Sequence, residues 1–504
     1  MTRIVVEPTA TTDVHGSGRH PRGLATLFFT EMWERFSYYG MRGLLVLFMT
    51  DTVRGGLAYD DRTATAIYGL YTAAVYLAAL PGGWIADRLM GAQKTVWYGG
   101  VIIACGHFVL AIPHEKTFYL GMVLVVLGTG LLKPNISAIV GDLYPEGGAR
   151  RDAGFSIFYM GINVGAFFGP LVCGYLGEQV NWHYGFGAAG VGMILGLIQY
   201  RMTQRYLGES GRTPAAHAKG EEITPEAHRQ HWRALWIGVA VVAVIVGLGL
   251  GGAIAFEAVA LAQWSTGIIL TIAALYFLYL FTFAGLDEQE RKRVFVILIL
   301  FIGAAIFWSG FEQGGTSLNL FALRYTERMF GGFEIPATWF QPVNPLMIII
   351  LAPFFGAFWV ALARRNLDPS IPAKFALGLI LMGLGFLVMF FAANIVATGH
   401  KVMPTWLVMT YLMHTFGELC LSPVGLSSVT KLAPKRFVSQ MMGIWFLGAS
   451  LGGLIAGLLA GRFNADSVAQ MPDLYLQIVL TTVGFGLLLL VFARPIHRST
   501  GGIR

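Results

Sequence analysis

Glu31-Met32-Trp33-Glu34-Arg35-Phe36-Ser37-Tyr38-Tyr39-Gly40-Met41-Arg42 is the stretch from which the fold is read. It lies inside an apolar run from Leu24 to Met49, long enough to cross a bilayer at roughly 20 residues per span. Glu31 and Arg35 are four apart and share a helix face, with Glu34 and Tyr38 on an adjacent one. Arg35, Tyr39 and Arg42 follow at i, i+4 and i+7, the spacing of one helical stripe. Charges at membrane depth are costly unless paired or wetted, and they mark substrate or proton pathways. A structural salt-bridge cluster is the plainer alternative, and four charges with two tyrosines on one helix weigh against it.

Composition agrees with a membrane setting. The 504 residues are 55% hydrophobic and 12% charged, with a mean hydropathy of +0.63, about half the charge of soluble domains. This predicts an all-α polytopic membrane protein embedded in a lipid bilayer. The pI near 9.2 does not imply nucleic acid, because the basic residues are spread over short loops. The three cysteines, Cys105, Cys173 and Cys420, fall in apolar spans, without a disulfide framework or metal-ligand spacing. No metal site and no cofactor are expected. The polar start, 1–23, lacks the apolar core of a signal peptide and reads as a cytoplasmic tail.

Spans are expected at 24–49, 62–86, 95–113, 117–140, 153–177 and 182–200, forming an N-terminal six-helix bundle. A polar linker, 201–233, leads to a two-helix hairpin at 234–256 and 263–285. Six more spans follow, at 294–323, 343–363, 374–395, 404–430, 437–461 and 473–494, with a second tail at 495–504. With both termini inside, inner loops hold twenty-five Lys and Arg and outer loops seven, while Arg35, Arg42 and Lys133 are intramembrane, which accounts for all 35. That asymmetry follows the positive-inside rule. The hairpin carries one acid, Glu257, and reads as passive. Gly247-Leu248-Gly249-Leu250-Gly251-Gly252 fits a dinucleotide fingerprint but follows no strand. Gly161/Gly165 and Gly448/Gly452 read as close helix contacts.

Three further ionisable residues lie at membrane depth: Lys133, just before Pro134, Glu312 and Glu418. None has an opposite charge at i±3 or i±4, so each needs a partner from another helix, water or a ligand. The intramembrane bases all belong to the N-terminal half, and the C-terminal half supplies only acids. Facing halves would make a cavity basic on one wall and acidic on the other, suited to a zwitterion with its carboxylate toward Arg42 or Lys133 and its ammonium toward Glu418. Tyr38, Tyr39, Tyr76, Asn163, Trp308, Asn344, Ser422 and Trp445 accompany these charges, each as a ligand contact or a packing residue. His414, one turn before Glu418, is either a proton carrier or a hydrogen-bonded core residue. An enzyme would need a nucleophile–base set or metal ligands; His107 and His414 stand apart and no HExxH or GxSxG occurs, so no enzyme is expected.

These residues resemble a known family. The two sets of six spans, with Gly83-xxx-Asp87-Arg88-xx-Gly91-xx-Lys94 in the loop between the second and third, look like the major facilitator superfamily. Within it, Glu31-xx-Glu34-Arg35-Phe36-Ser37-Tyr38-Tyr39-Gly40 resembles the first-helix signature of the proton-dependent oligopeptide transporters. Phe155 to Gly165, Leu132-Lys133-Pro134-Asn135, Phe311-Glu312-Gln313 and Glu418 to Pro423 match as well, and the extra central pair is similar to that of bacterial members. The resemblance runs from about residue 24 to 495.

It implies proton-coupled symport of di- and tripeptides into the cell by alternating access between two six-helix bundles, driven by the proton gradient and membrane potential, in a bacterial inner membrane and by a monomer. Glu31, Glu34 and Arg35 would be the coupling cluster, with Lys133 exchanging between the first-helix acids and the substrate carboxylate. Arg42 would pair with Glu312 to close the outer side, with Glu312 a protonation site. Glu418 would hold the peptide ammonium, and Tyr38, Tyr39, Tyr76, Asn163, Asn344 and Ser422 would contact peptide. Trp308 and Trp445 would line side-chain pockets. The functional histidine of animal members on the second helix has no counterpart between Asp61 and Asp87, which leaves protonation to carboxylates. Plant relatives share the first-helix signature and carry nitrate and other solutes, so a proton-coupled carrier of nitrate or a small organic anion is the alternative.

Overall fold

The computed structural model describes residues 20–214, 224–254, 256–462 and 465–501. The first tail to residue 19, part of the linker and the last three residues lie outside it, as do a few helical side chains, Ser422 among them. Among the described residues there are sixteen α-helices. The first six are α1 (Arg22–Thr50), α2 (Asp61–Ile85), α3 (Ala92–Leu110), α4 (Glu115–Asp142), α5 (Gly148–Tyr175) and α6 (Trp182–Thr203). The central pair is α7 (Pro225–Leu250) and α8 (Ala258–Thr282). Then come α9 (Glu288–Phe311), α10 (Ser317–Tyr325), α11 (Val343–Arg364), α12 (Ile371–Ala397), α13 (Thr405–Leu432), α14 (Val438–Ala460), α15 (Met471–Val491) and the short α16 (Ala493–Ser499).

Among the described residues, ten helical segments are long and apolar enough to cross a membrane by composition, α9 and α10 counting as one. The other four expected spans are α1, α3, α6 and α13, helices of 29, 19, 22 and 28 residues that carry more polar residues or glycine. Fourteen spans result, as the sequence predicts. Local chemistry sets the helix starts. Asp60 caps α2 by accepting from Thr63 N at 2.9 Å, and Asp287 with Glu290 forms a capping box on α9.

One boundary differs markedly. The linker was expected to run to residue 233, but α7 begins at Pro225, behind the Thr224 cap. A Thr-Pro-Glu start is a strong helix signal, and the polar residues after it hid the signal from a hydropathy reading. α7 thus carries Glu226, Arg229 and Arg233 on a stretch that precedes its apolar part.

α1 packs on α5 and α6, α2 on α4, and α3 on α4 and α6, which makes one six-helix unit. α12 packs on α13 and α15, and α9 on α14, in the second. α2 against α14 and α5 against α11 form the seam between them. α7 has no buried residue, whereas α8 lies on both α2 and α14, covering the seam rather than standing beside the bundle.

Glycine lets these helices approach. A Cβ on Gly99 would lie 2.7 Å from Gly128 O, and one on Gly106 would lie 2.9 Å from Gly121 O, along α3 and α4. A Cβ on Gly161 would lie 2.9 Å from the Phe28 carbonyl of α1, and one on Gly165 or Gly169 would overlap that of Met32 or Phe36. In lipid, where apolar burial drives little association, such contacts supply much of the packing. Between α2 and α4 a Cβ on Gly82 would overlap the Gly130 carbonyl. Gly82→Val should therefore destabilise the protein by roughly 1–3 kcal/mol through overpacking, read as a lowered melting temperature in detergent. Gly238→Ala on α7, with nothing within 4 Å, should leave that temperature unchanged.

Candidate functional site

On α1, Arg35 Nε lies 2.7 Å from Glu31 Oε1 and 2.9 Å from Glu34 Oε2, and all three residues are buried. Glu31 Oε2 and both oxygens of Glu34 have no hydrogen-bond partner among the described residues, so Glu34 is held by charge alone. Two carboxylates thus share one guanidinium, which leaves the cluster one positive charge short of balance within α1. Lys133 stands nearby on α4, with Nζ 4.4 Å from the Tyr76 ring centroid. It makes no ion pair among the described residues.

Two turns along α1, Arg42 Nη2 lies 2.8 Å from Glu312 Oε2, just past the end of α9. Tyr68 of α2 joins them: its hydroxyl accepts from Arg42 Nε and donates to Glu312 Oε2 at 3.0 Å. Sequence reasoning missed Tyr68, since a tyrosine in an apolar span carries no signal of its own.

On the opposite wall, Glu418 Oε2 of α13 accepts from Asn344 Nδ2 of α11 at 3.0 Å. Asn344 Nδ2 also donates to Thr415 Oγ1 at 3.0 Å. Tyr159 of α5 lies beside Glu418 and was also missed, although it shares a helix face with Asn163, whose Nδ2 donates to the Tyr159 carbonyl at 3.0 Å. His414 is wedged between Phe386, 4.7 Å away between ring centroids, and Gly385.

A cavity of ≈ 250 Å3 brings these groups together. Glu31, Arg35, Tyr38, Tyr39, Arg42, Tyr76, Lys133, Asn163, Trp308, Glu312, Asn344, His414 and Glu418 line it. Glu34 sits behind Arg35. Trp445 does not line it: its ring packs on Phe375 at 6.3 Å and fills the space that Gly425 leaves, so its expected side-chain pocket is corrected to a packing contact. Ser422 lies outside the described side chains. Among the described lining charges, Glu31 pairs with Arg35 and Glu312 with Arg42. That leaves Lys133 and Glu418 as the cation and the carboxylate outside any ion pair among the described residues, one on each six-helix unit, with Lys133 in the field of Glu31 and Glu34.

The loop motif lies at the terminus end of the bundle. Asp87 and Arg88 are in the turn Ala86–Met90, Gly91 has a φ of 78° that favours glycine, and Lys94 is exposed while Gly83 is open to one side. The linker is strapped here, with Gln93 Nε2 donating to Gly208 O at 3.0 Å and Ser210 O at 2.8 Å.

The opposite end, where the α1–α2 loop lies, is tied shut across the seam. Arg324 of α10 makes a two-pronged pair with Asp61 of α2 at 2.6 and 2.7 Å. Asn319 Nδ2 donates to Gly43 O at 2.8 Å. Buried Glu178, in the turn Leu176–Val180 just past α5, accepts from Ala337 N at 2.7 Å, Thr338 N at 2.9 Å and Thr338 Oγ1 at 2.7 Å.

The POT family profile matches residues 93–474. The peptide transporter YePEPT of Yersinia enterocolitica is 45% identical over 95% of each chain. The di-/tripeptide transporter of Lactococcus lactis subsp. cremoris is 37% identical over 96% of this chain and 97% of that one. A crystal structure of a POT peptide transporter in complex with alafosfalin has a TM-score of 0.87 and 42% identity, covering 97% of each chain.

The ties at the loop end make a direct test. Asp61→Arg or Arg324→Asp alone leaves two like charges facing each other and should lower the melting temperature by several degrees, with roughly 1–3 kcal/mol lost. The double exchange should recover most of it in the same thermal scan.

Proposed function

The chain belongs to the POT family and transports di- and tripeptides across a membrane, and we propose that it does so as a proton-coupled symporter working by alternating access. The observation that carries this reading is that Lys133 and Glu418, neither of them in an ion pair with a described residue, face one cavity from the two six-helix units. A peptide is a zwitterion of matching sign. Its ammonium would sit at Glu418, with the Asn344 amide and Tyr159 alongside, and its carboxylate at Lys133. Tyr38, Tyr39, Tyr76 and Asn163 would contact the backbone, and Trp308 a side chain. Nitrate or another small anion is disfavoured, because Glu418 would repel it and the named relatives are peptide transporters.

For coupling we assign Glu31, Glu34 and Arg35. A proton on either acid leaves Arg35 fully paired to the other, which frees Lys133 for the substrate carboxylate. Arg42 with Glu312 would close the outer side, which we take to be the end of the α1–α2 loop, with both termini cytoplasmic in a bacterial inner membrane. One charge moved through the membrane potential supplies roughly 2.3 kcal/mol per 100 mV, about a fifty-fold accumulation ratio. The whole cavity belongs to one chain, so a monomer suffices, and no cofactor or catalysed reaction enters the cycle.

Uptake of labelled dialanine into proteoliposomes tests this. An inward proton gradient with negative-inside potential should give accumulation that a protonophore abolishes. Glu34→Gln should lose accumulation yet keep exchange of internal for external peptide; accumulation in that variant would sink the coupling assignment. Glu418→Gln should weaken dialanine binding by roughly ten-fold or more, the loss of a charge-assisted contact, while lysine-free anionic competitors gain nothing. Unchanged affinity, measured by competition, would remove Glu418 from the ammonium site.

A further inference from the structure

We propose that the Tyr68 hydroxyl is a positioning residue of the Arg42–Glu312 pair, and that Gly315 is the space in which it works. This rests on the transport reading above. Tyr68 is fully buried on α2. Its hydroxyl uses both of its functions: it accepts from Arg42 Nε and donates to Glu312 Oε2 at 3.0 Å. The same Oε2 lies 2.8 Å from Arg42 Nη2. Three elements, α1, α2 and the turn after α9, therefore meet at one carboxylate oxygen.

The geometry matters because a single N···O contact leaves a guanidinium free to pivot. Here Nε is held by Tyr68 and Nη2 by Glu312, so two edges of the planar fork are fixed at once. The Tyr39 and Tyr68 rings flank the guanidinium, with centroids 5.4 and 5.7 Å from Cζ. On its other side the hydroxyl fills the place of a missing side chain: a Cβ on Gly315 would overlap the Tyr68 oxygen and Cζ. Gly315 closes the same turn, Glu312–Gly315, that Glu312 opens. The hydroxyl is thus gripped by both ends of one turn of the C-terminal unit while its ring belongs to the N-terminal unit. Separating the units at the outer side requires that grip to break.

Tyr68→Phe keeps the ring and deletes only the oxygen, leaving Arg42 Nε without its acceptor. Gly315→Ala keeps the oxygen and displaces it. Both should loosen the outer closure and raise the outward-facing fraction, which lowers the apparent KM for external peptide. In proteoliposomes under a fixed proton gradient, each is expected to lower KM for dialanine roughly three- to ten-fold, with kcat lowered too because closing over the substrate becomes slower. The double variant should go no further than either single one, as for two changes to one contact. A Tyr68→Phe carrier with KM and kcat within twofold of the unaltered protein would overturn the inference, as would an effect confined to Gly315→Ala.

A second reading needs no substrate. Ala322, buried on α10 near the outer ties, is replaced by cysteine and labelled from outside with a membrane-impermeant maleimide. Tyr68→Phe should raise the labelling rate several-fold over Ala322→Cys alone. Equal rates would overturn the positioning role even if dialanine proved not to be the cargo, and absent uptake by the unaltered protein would fall on the transport reading alone.

Discussion

A guanidinium or carboxylate removed from water inside a bilayer must find an opposite charge or a dense set of hydrogen bonds, since the desolvation cost runs to several kcal/mol per ion. Arg35 meets that demand with Glu31 and Glu34, and Arg42 meets it with Glu312 and Tyr68. The two solutions differ in where the partners come from. Arg35 is satisfied within α1, so its cluster moves as one body with the N-terminal unit. Arg42 is satisfied across the seam, so its pairing depends on how the two units are arranged. A single helix therefore carries one charge cluster that is independent of conformation and another that is conformation-dependent, separated by two turns.

Close helix packing makes the separation workable. Gly165 and Gly169 bring α5 against the α1 backbone beside Arg35, and α3 and α4 interlock through Gly99, Gly106, Gly121 and Gly128. These contacts bind each unit internally. Contacts at the seam are of another kind: α2 meets α14 through Gly69 and Gly457, with Ser450 donating to Ala73 O at 3.3 Å and few polar locks at that depth. A smooth, small-residue seam lets one unit rock against the other while the polar ties sit toward its end. α8, lying on both α2 and α14, keeps lipid out of that seam.

The fold was largely legible, and the reasons are physical. Charges inside an apolar run are conspicuous, so α1 announced its cluster. Lys133, Glu312 and Glu418 stood out for the same reason. Loop charge counted the spans because insertion itself obeys it. What escaped reading had no such contrast. Tyr68 and Tyr159 are ordinary residues of apolar helices until a partner arrives from another helix. Asp61, Glu178 and Arg324 sit at span ends, where charge is unremarkable, and their pairing is a property of tertiary structure. Trp445 was misplaced because α14 is apolar nearly all round, so its sequence does not say which face looks into the cavity. The start of α7 was hidden because a polar helix and a polar linker look alike to hydropathy.

The loop-end ties also bear on energetics. Asp61 with Arg324, Asn319 with Gly43, Glu178 with the Ala337–Thr338 amides and Arg42 with Glu312 are separate contacts, each of modest net worth, roughly 0.5–3 kcal/mol. Moving a two-state equilibrium from 1:99 to 99:1 takes about 5.5 kcal/mol, so no single tie can hold or release the closure. A carrier must visit both arrangements, and their free energies must stay within a few kcal/mol of each other. The closed end therefore has to be offset by contacts or hydration gained when it opens. Several weak, water-replaceable bonds satisfy that condition better than one buried apolar plug would, because each broken bond at the rim can be remade with solvent. Glu178, buried like Arg42, Glu312 and Asn319, accepts three hydrogen bonds from one short segment, so opening that end must give its carboxylate water in their place.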